Sequence, residues 1–513
     1  MKGEKIMSRH HKVAIAGSGL AALATAARLH ELGVKDIAIY ANGLGGTPYI
    51  AAINFVLPGN PYGDTPEQYA LDMLAAGYNI GNKQLVHEMA NATLQGYELL
   101  CRWGVTFAHN DDGSIKLRHV SGHTYPRSLC QTTNLIGVEI ENVMLKRLAD
   151  AGIEFHNKSV VVNLLKNSDG KIDGFTVIDD GGDPYNVYAP VVVASWGGVG
   201  NLLGTSTYPD DVKGNTLGMA KTAGASLVDL EFIEFEPMVM MSPAGAVGEP
   251  CPTAMLGEGG YLLNSDGERF LLEVRPQGEA GAPKSLINHE IWKQVAKGKG
   301  NPHGGIWVDL RHIDVNVLKA YPWFYDRLMN SGCDPTKELL EVGPMPHSFS
   351  GGIRIDSNYE SDVPGLYAVG EACGGIHGAC RCAGNAASQA TLSGLLCAEG
   401  IMKTGELGRA VSDHPVDYRR DNAVRAKYLG ELQKIAGHAL GVYRNGTDLA
   451  AAVDATQAII DAPKTSRDNL TAQTALAINL IAKAALNRKE SRGTHNRTDF
   501  PEQNPQFEKE FVY

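Results

Sequence analysis

Between Gly370 and Ser388 the chain reads GEACGGIHGACRCAGNAAS, which sets Glu371, His377, Arg381 and three cysteines, Cys373, Cys380 and Cys382, among glycines and alanines. Such residues bind anions, move protons or do redox chemistry, and an arginine offers a rigid fork to a carboxylate. The apolar run Leu366, Tyr367, Ala368, Val369 reads as a buried strand that delivers Gly370 and Glu371 as a turn at its end. The plainer alternative is a turn into a helix whose small residues pack closely. The cysteines are poor metal ligands, because Cys-x-Cys plus one distant Cys lacks the closing pair of a zinc or iron–sulfur site. Small packing residues are favoured over redox thiols, and no metal is expected.

The elements that would position this stretch begin at the other end of the chain. Lys12 to Ala16 reads as a strand, GSGLAALATAARLHELG as a tight turn into a helix, and Asp36 to Tyr40 as the next strand. In the pattern Gly17-x-Gly19-x-x-Ala22, with Leu20 opening the helix, the first glycine allows the turn and the second lets the backbone approach a pyrophosphate. The acidic residue expected to hold a ribose falls on Tyr40 or Ala41. Residues 65 to 105 read as two amphipathic helices, and a helix from Ile136 to Ala151 precedes strands at Glu154 to Val162, Gly174 to Asp179 and Tyr188 to Ala194. From Phe232 to Gly343 the doubly wound rhythm stops. Beyond Ala410 a 3.6-residue apolar period marks helices at 422–441, 449–461 and 471–487.

The chain has 513 residues, 43% of them hydrophobic, enough for two or three domains. A net charge of −11 without a basic block argues against a nucleic-acid surface. Eight scattered cysteines fit a reducing cytoplasm. Neither an apolar signal region nor an uninterrupted run of membrane-spanning length is present in the sequence, so a soluble protein is expected.

The string GEACGGIHGACRCAGNA resembles the GE…GGIHG-NNRLGGNA signature of the fumarate reductase and succinate dehydrogenase flavoproteins, which include L-aspartate oxidase. MPHSFSGGIRID resembles the H-x-x-M-G-G-I segment of that family, with Ser350 at its Met; GEGGYLLNSDGERF carries its GEGG and DGERF strings; RKESRGTHNRTDFPE resembles its C-terminal tail. The resemblance runs from about residue 12 to 505. It implies an α/β fold: a Rossmann-type FAD-binding domain in two parts (1–232 and 344–410), an inserted α+β capping domain (233–343) and a C-terminal helical domain (411–513).

The same resemblance implies FAD contacts from Gly17, Gly19, Leu20 and Ala22, from Gly45, Gly46 and Thr47 beneath the flavin ring, from Ala194, Gly197 and Gly198 in ASWGGVG, and from Asn215, Gly370, Glu371, Asn385 and Ala386. Gly46 stands where membrane-bound relatives carry a flavin-linked histidine, so FAD is expected to be non-covalent. In the loop NGLGGTPYIAAIN the AQGG of the family becomes Ala51, Ala52 and Ile53. HVSGHTYPRSLCQTT resembles a segment of aspartate oxidases and makes His123, Arg127 and Ser128 candidates for the flavin edge, with His119 equally readable as a loop residue. For the substrate it implies His347 and Arg381 as a retained half of a carboxylate clamp, and Glu258 as structural or part of a proton path.

The other half of the clamp departs from the family. Glu236 stands at its histidine and Glu234 at its glutamine; Lys284 replaces the catalytic arginine and His289 a later arginine. An ionised Glu236 at about 4 Å from a substrate carboxylate costs about 4 kcal/mol at an effective dielectric near 20, which argues against plain fumarate. Lys284 remains a proton donor whose pKa burial is expected to lower. The reading is an FAD-dependent oxidoreductase working on a carbon–carbon double bond next to a carboxylate or similar group, with a small-molecule substrate and a separate electron donor or acceptor protein. Amine oxidation like that of L-aspartate oxidase, or a silent FAD electron-transfer subunit, are the alternatives.

Overall fold

The computed structural model describes residues 9–120, 122–131, 135–210, 212–463 and 468–513. Its centre is a parallel sheet of five strands in the order Leu366–Ala368, Val191–Ala194, Val13–Ala16, Ile37–Tyr40, Glu154–His156. The inner strands are uniformly apolar, as both faces of a parallel sheet are covered. The covering helices include Leu20–Glu31 and Asn385–Thr404.

A second sheet orders Arg9–His10, Pro184–Tyr188, Ile172–Ile178 and Val160–Lys166. Two strands expected from sequence are divided between these sheets. The 154–162 run breaks where Lys158 takes φ 57°. The 188–194 run breaks at Ala189 and Pro190, since a proline has no N–H with which to continue a ladder. Residues 65–105 hold three helices rather than two, Pro66–Ala76, Lys83–Asn91 and Thr93–Trp103. The extra break falls at Ala92, where the Thr93 hydroxyl donates back to the Ala90 carbonyl.

An antiparallel sheet ordered Ile233–Met240, Leu340–Phe349, Ile306–Asp309, Tyr261–Leu263 leads away from this body. It has its own apolar core, drawn from residues between Met238 and Val342. The helices Asn422–Ala439, Gly446–Asp461 and Asn469–Asn487, each capped by an Asp or Asn side chain, instead bury their apolar faces in the main core. The two long strands that join cap to body pair Glu234 with Ser348 and Glu236 with Met345, and so deliver the candidate substrate residues to the junction. Among the described residues, no helix is long and apolar enough to cross a membrane.

Candidate active site

A cavity of about 1620 Å³ runs from the carboxyl ends of the central strands to the cap. At its inner end Gly17 has φ +118° and its amide donates to the Tyr40 carbonyl at 2.9 Å. A Cβ there would stand 2.1 Å from the Ser195 carbonyl oxygen, so the turn admits only glycine. Gly19 caps the helix, and the Leu20 amide donates to Thr47 Oγ1 at 2.7 Å, tying the glycine turn to the loop that carries Gly45 and Gly46. Gly17, Gly19, Leu20, Gly45, Gly46, Thr47, Gly197, Asn215, Gly370, Glu371 and Ala386 all line the cavity. Ala22 and Ala194 are fully buried behind it.

Glu371 braces three segments. Its Oε2 accepts from the Gly198 amide at 3.0 Å, and its Oε1 from the Phe349 amide at 2.8 Å and the Tyr208 hydroxyl at 2.6 Å. A Cβ on Gly198 would stand 2.7 Å from the Glu371 carboxyl carbon. Burial pushes the Glu371 carboxyl above its usual range. Neither Tyr208 nor its neighbour Thr207 is marked by any sequence pattern.

At the cap end the four charged residues are already paired. Arg381 donates from Nη2 to Glu234 Oε1 at 3.0 Å, from Nε to Ser348 Oγ at 3.2 Å and from Nη1 to the Cys382 carbonyl at 3.2 Å. Lys284, half-buried at the start of helix Lys284–Ala296, donates to Glu236. Burial would raise the Glu234 carboxyl, but Arg381 and then Lys284 hold it below its usual range. Burial would lower Lys284, yet Glu236 and then Glu234 outweigh it, so its pKa is raised. The expectation from sequence has the opposite sign, because burial acting without a partner lowers a lysine. His347 lies 2.8 Å from the Thr207 hydroxyl and is kept neutral by burial. One buried acceptor, Glu234 Oε2, has no partner in this arrangement.

The FAD binding domain family matches residues 12–387, and the fumarate reductase flavoprotein C-terminal family matches residues 430–512. The chain belongs to the fumarate reductase and succinate dehydrogenase flavoprotein family. This flavoprotein is 27% identical to a subunit of the fumarate reductase (CoM/CoB) of Methanothermobacter marburgensis, over 88% of its own length and 86% of that protein's. It is 31% identical to L-aspartate oxidase of Saccharolobus solfataricus, over 95% and 96%. The structure of Mycobacterium smegmatis Sdh1 in complex with UQ1 superposes with a TM-score of 0.84 at 26% identity, covering 98% of this chain and 91% of that one.

The flavoprotein is an FAD-dependent oxidoreductase, and its cavity fits the cofactor. Gly17 supplies the close turn, and the amino end of helix Leu20–Glu31 opens on the cavity through Gly19 and Leu20, as suits a phosphate group. The Gly45–Gly46 loop is open, with nothing within 4 Å of a Cβ built on Gly46. No carboxylate stands at the ribose position of the motif, where Tyr40 and Ala41 line the cavity instead.

Several residues singled out from sequence lie away from the cavity. Asn385 faces backwards, its Oδ1 accepting from Asn54 Nδ2 at 2.6 Å and the Tyr69 hydroxyl at 2.7 Å, while its neighbour Ala386 lines the cleft. Glu258 is exposed, accepts from the Tyr321 hydroxyl at 3.2 Å and reaches neither ion pair. Arg127 is a buried structural cation, forked onto Asp64 at 2.6 and 2.8 Å and bonded to Asp72 at 2.7 Å; Ser128 is buried in a short strand.

His123 does line the cleft. Its Nδ1 accepts from Arg127 at 3.0 Å and its Nε2 donates to the Ala383 carbonyl at 2.9 Å, while the exposed His119 meets the His123 carbonyl at 2.6 Å. His289 contacts the Tyr443 hydroxyl and links the cap to the C-terminal helices instead of the substrate end. His377 is locked in the core by Gln389 at 2.8 Å. Burial pushes the thiols of Cys373, Cys380 and Cys382 up to about 12, which fits packing and not redox work.

Proposed function

We propose that this flavoprotein moves a hydride between FAD and a carbon–carbon double bond next to a carboxylate or similar acceptor group, on a substrate other than a plain dicarboxylate. The observation that carries the reading is the pairing of both clamp cations, Arg381 with Glu234 and Lys284 with Glu236. A dicarboxylate entering this end meets four compensated charges and a neutral His347, and it must break an ion pair for every carboxylate it seats. FAD, when bound, supplies or accepts the hydride. Arg381, held by Glu234 and Ser348, presents a fixed guanidinium to a polarised acceptor oxygen, where developing negative charge is stabilised. Lys284 Nζ is the proton carrier beside it, and Glu236 makes it a reluctant acid. Glu236, which lines the cavity, suits a substrate that presents an N–H donor, such as an amide or a heterocycle.

That same carboxylate favours a second reading, amine oxidation, in which an ammonium lies against Glu236. A cytoplasmic location and a separate electron-transfer partner accompany either reading. The discriminating experiment is anaerobic: the reduced holoprotein is mixed with a panel of unsaturated acids, amides and heterocycles, and flavin reoxidation is followed. Reoxidation by an amide or heterocycle in preference to fumarate supports the first reading. In a second arm the oxidised holoprotein is mixed with amines, and flavin reduction there, with peroxide release once oxygen is admitted, replaces the first reading with the second. Preferential reoxidation by fumarate refutes the exclusion of a plain dicarboxylate.

A further inference from the structure

One cluster outside the cleft is left unused by the flavin chemistry. Glu154 and His156 stand two residues apart on an edge strand, so both side chains leave the same face, and the register sets His156 beside Tyr40. His11, at the entry to the central strand Val13–Ala16, arrives at the same place. One donor atom from each of His11, Glu154 and His156 lies within 4.8 Å of the other two, and His156 Nε2 stands 3.0 Å from Glu154 Oε2. Ligands bonded to zinc at about 2.0–2.2 Å in a tetrahedron lie roughly 3.3 Å apart, so small rotations of these side chains close the set.

The histidine furthest from the other two in sequence is already oriented. The side chain of His11 is only 6% exposed, and its Nδ1 meets Asp36 Oδ1 at 3.2 Å. Asp36 is in turn fixed by the Lys12 amide at 3.1 Å. Donation from Nδ1 leaves the lone pair of Nε2 pointing into the cluster, where the Tyr40 hydroxyl lies 3.1 Å away. A carboxylate behind the far nitrogen is the usual support of a metal-binding histidine, because it fixes both tautomer and ring direction.

A cation already sits against the cluster. Arg9 Nη1 lies 2.6 Å from His156 Nδ1 and 3.0 Å from its Nε2. A guanidinium only donates, so it covers the lone-pair side of the imidazole that a metal would use. We propose that His11, Glu154 and His156 form a divalent-metal site, with a two-nitrogen, one-oxygen donor set suited to Zn²⁺, which the metal enters by displacing Arg9. The fourth position is left to water. Since the Tyr40 carbonyl holds the Gly17 amide, the ion would brace the strand end directly beneath the glycine turn of the cofactor cavity.

The test is calorimetric titration of the FAD-loaded full chain with Zn²⁺, repeated with Co²⁺ as a spectroscopic probe. The site predicts one strong equivalent and the visible absorption of four-coordinate Co²⁺. His11→Ala and His156→Ala should each lower affinity at least about tenfold, Asp36→Asn by about tenfold through lost orientation, and Arg9→Ala should raise it. Glu154→Gln, at an exposed position, gives a ligand variant that does not threaten folding, and bound flavin checks each protein. Absence of stoichiometric binding, or binding that survives both histidine substitutions, assigns the metal to surface histidines and overturns the proposal. An affinity unmoved by Arg9→Ala also overturns it.

Discussion

Replacing Glu236 by glutamine removes one negative charge at nearly constant shape and leaves Lys284 without its partner. Two unit charges at about 4 Å interact by about 1 kcal/mol in water and about 4 kcal/mol at an effective dielectric of 20. Glu236 is 6% exposed and Lys284 36% exposed along their side chains, so the pair lies between these limits. A value of about 2 kcal/mol follows, or roughly thirtyfold in the affinity of a carboxylate ligand. Fumarate should therefore bind Glu236→Gln roughly thirtyfold tighter than the parent, read as the perturbation of flavin absorbance on titration of the oxidised holoprotein. The gain should shrink at high salt, since one partner reaches solvent. Crotonamide, which brings no charge, serves as the control and should gain nothing. Lys284 stays cationic through neutral pH in the parent, where Glu236 and Glu234 raise its pKa, and Glu234 remains beside it in the variant. Equal fumarate affinities in parent and variant would show that Glu236 does not oppose a substrate carboxylate, and the case against a dicarboxylate would fall.

Acid precipitation should release all the FAD, because Gly46 offers no side chain for a flavin link; fluorescence left on the denatured polypeptide refutes this. Arg381→Lys should keep its FAD yet lose about ten- to hundredfold in turnover on whichever panel compound is active, since a point charge cannot hold Glu234, Ser348 and an acceptor oxygen together. His123 and His377 are pulled by burial from 6.5 down to about 4. As pH falls through 6.5 the unfolded chain takes up protons that the folded chain refuses until about 4, so stability present above 6.5 is lost across that window, by up to about 3 kcal/mol per histidine. The melting temperature of the holoprotein should fall accordingly, and His123→Gln, neutral at every pH, should make the decline shallower; an unchanged slope removes His123 from the account.

The frame of the molecule is legible in its residues alone. The turn at Gly17 and Gly19 is legible because only glycine tolerates φ +118° against the Ser195 carbonyl, and such a requirement leaves its mark in residue identity. The strand Leu366–Ala368, the Gly-Glu turn after it and the capped C-terminal helices are legible for a similar reason: burial and periodicity are local properties. Glu234, Glu236 and Lys284 could also be read there as departures from what the family resemblance implies. Their partners, however, follow from the fold in three dimensions. Which carboxylate meets which cation depends on how strand Ile233–Met240, helix Lys284–Ala296 and the Arg381 loop converge, and the sign of the Lys284 shift turns on that meeting. Side-chain direction sends Asn385 to Asn54 and Tyr69, Arg127 to Asp64 and Asp72, and Glu258 to the surface. Tyr208 and His11 acquire roles from neighbours more than a hundred residues away, because hydrogen-bond partners and charges act through distance in space, which spacing along the chain does not encode.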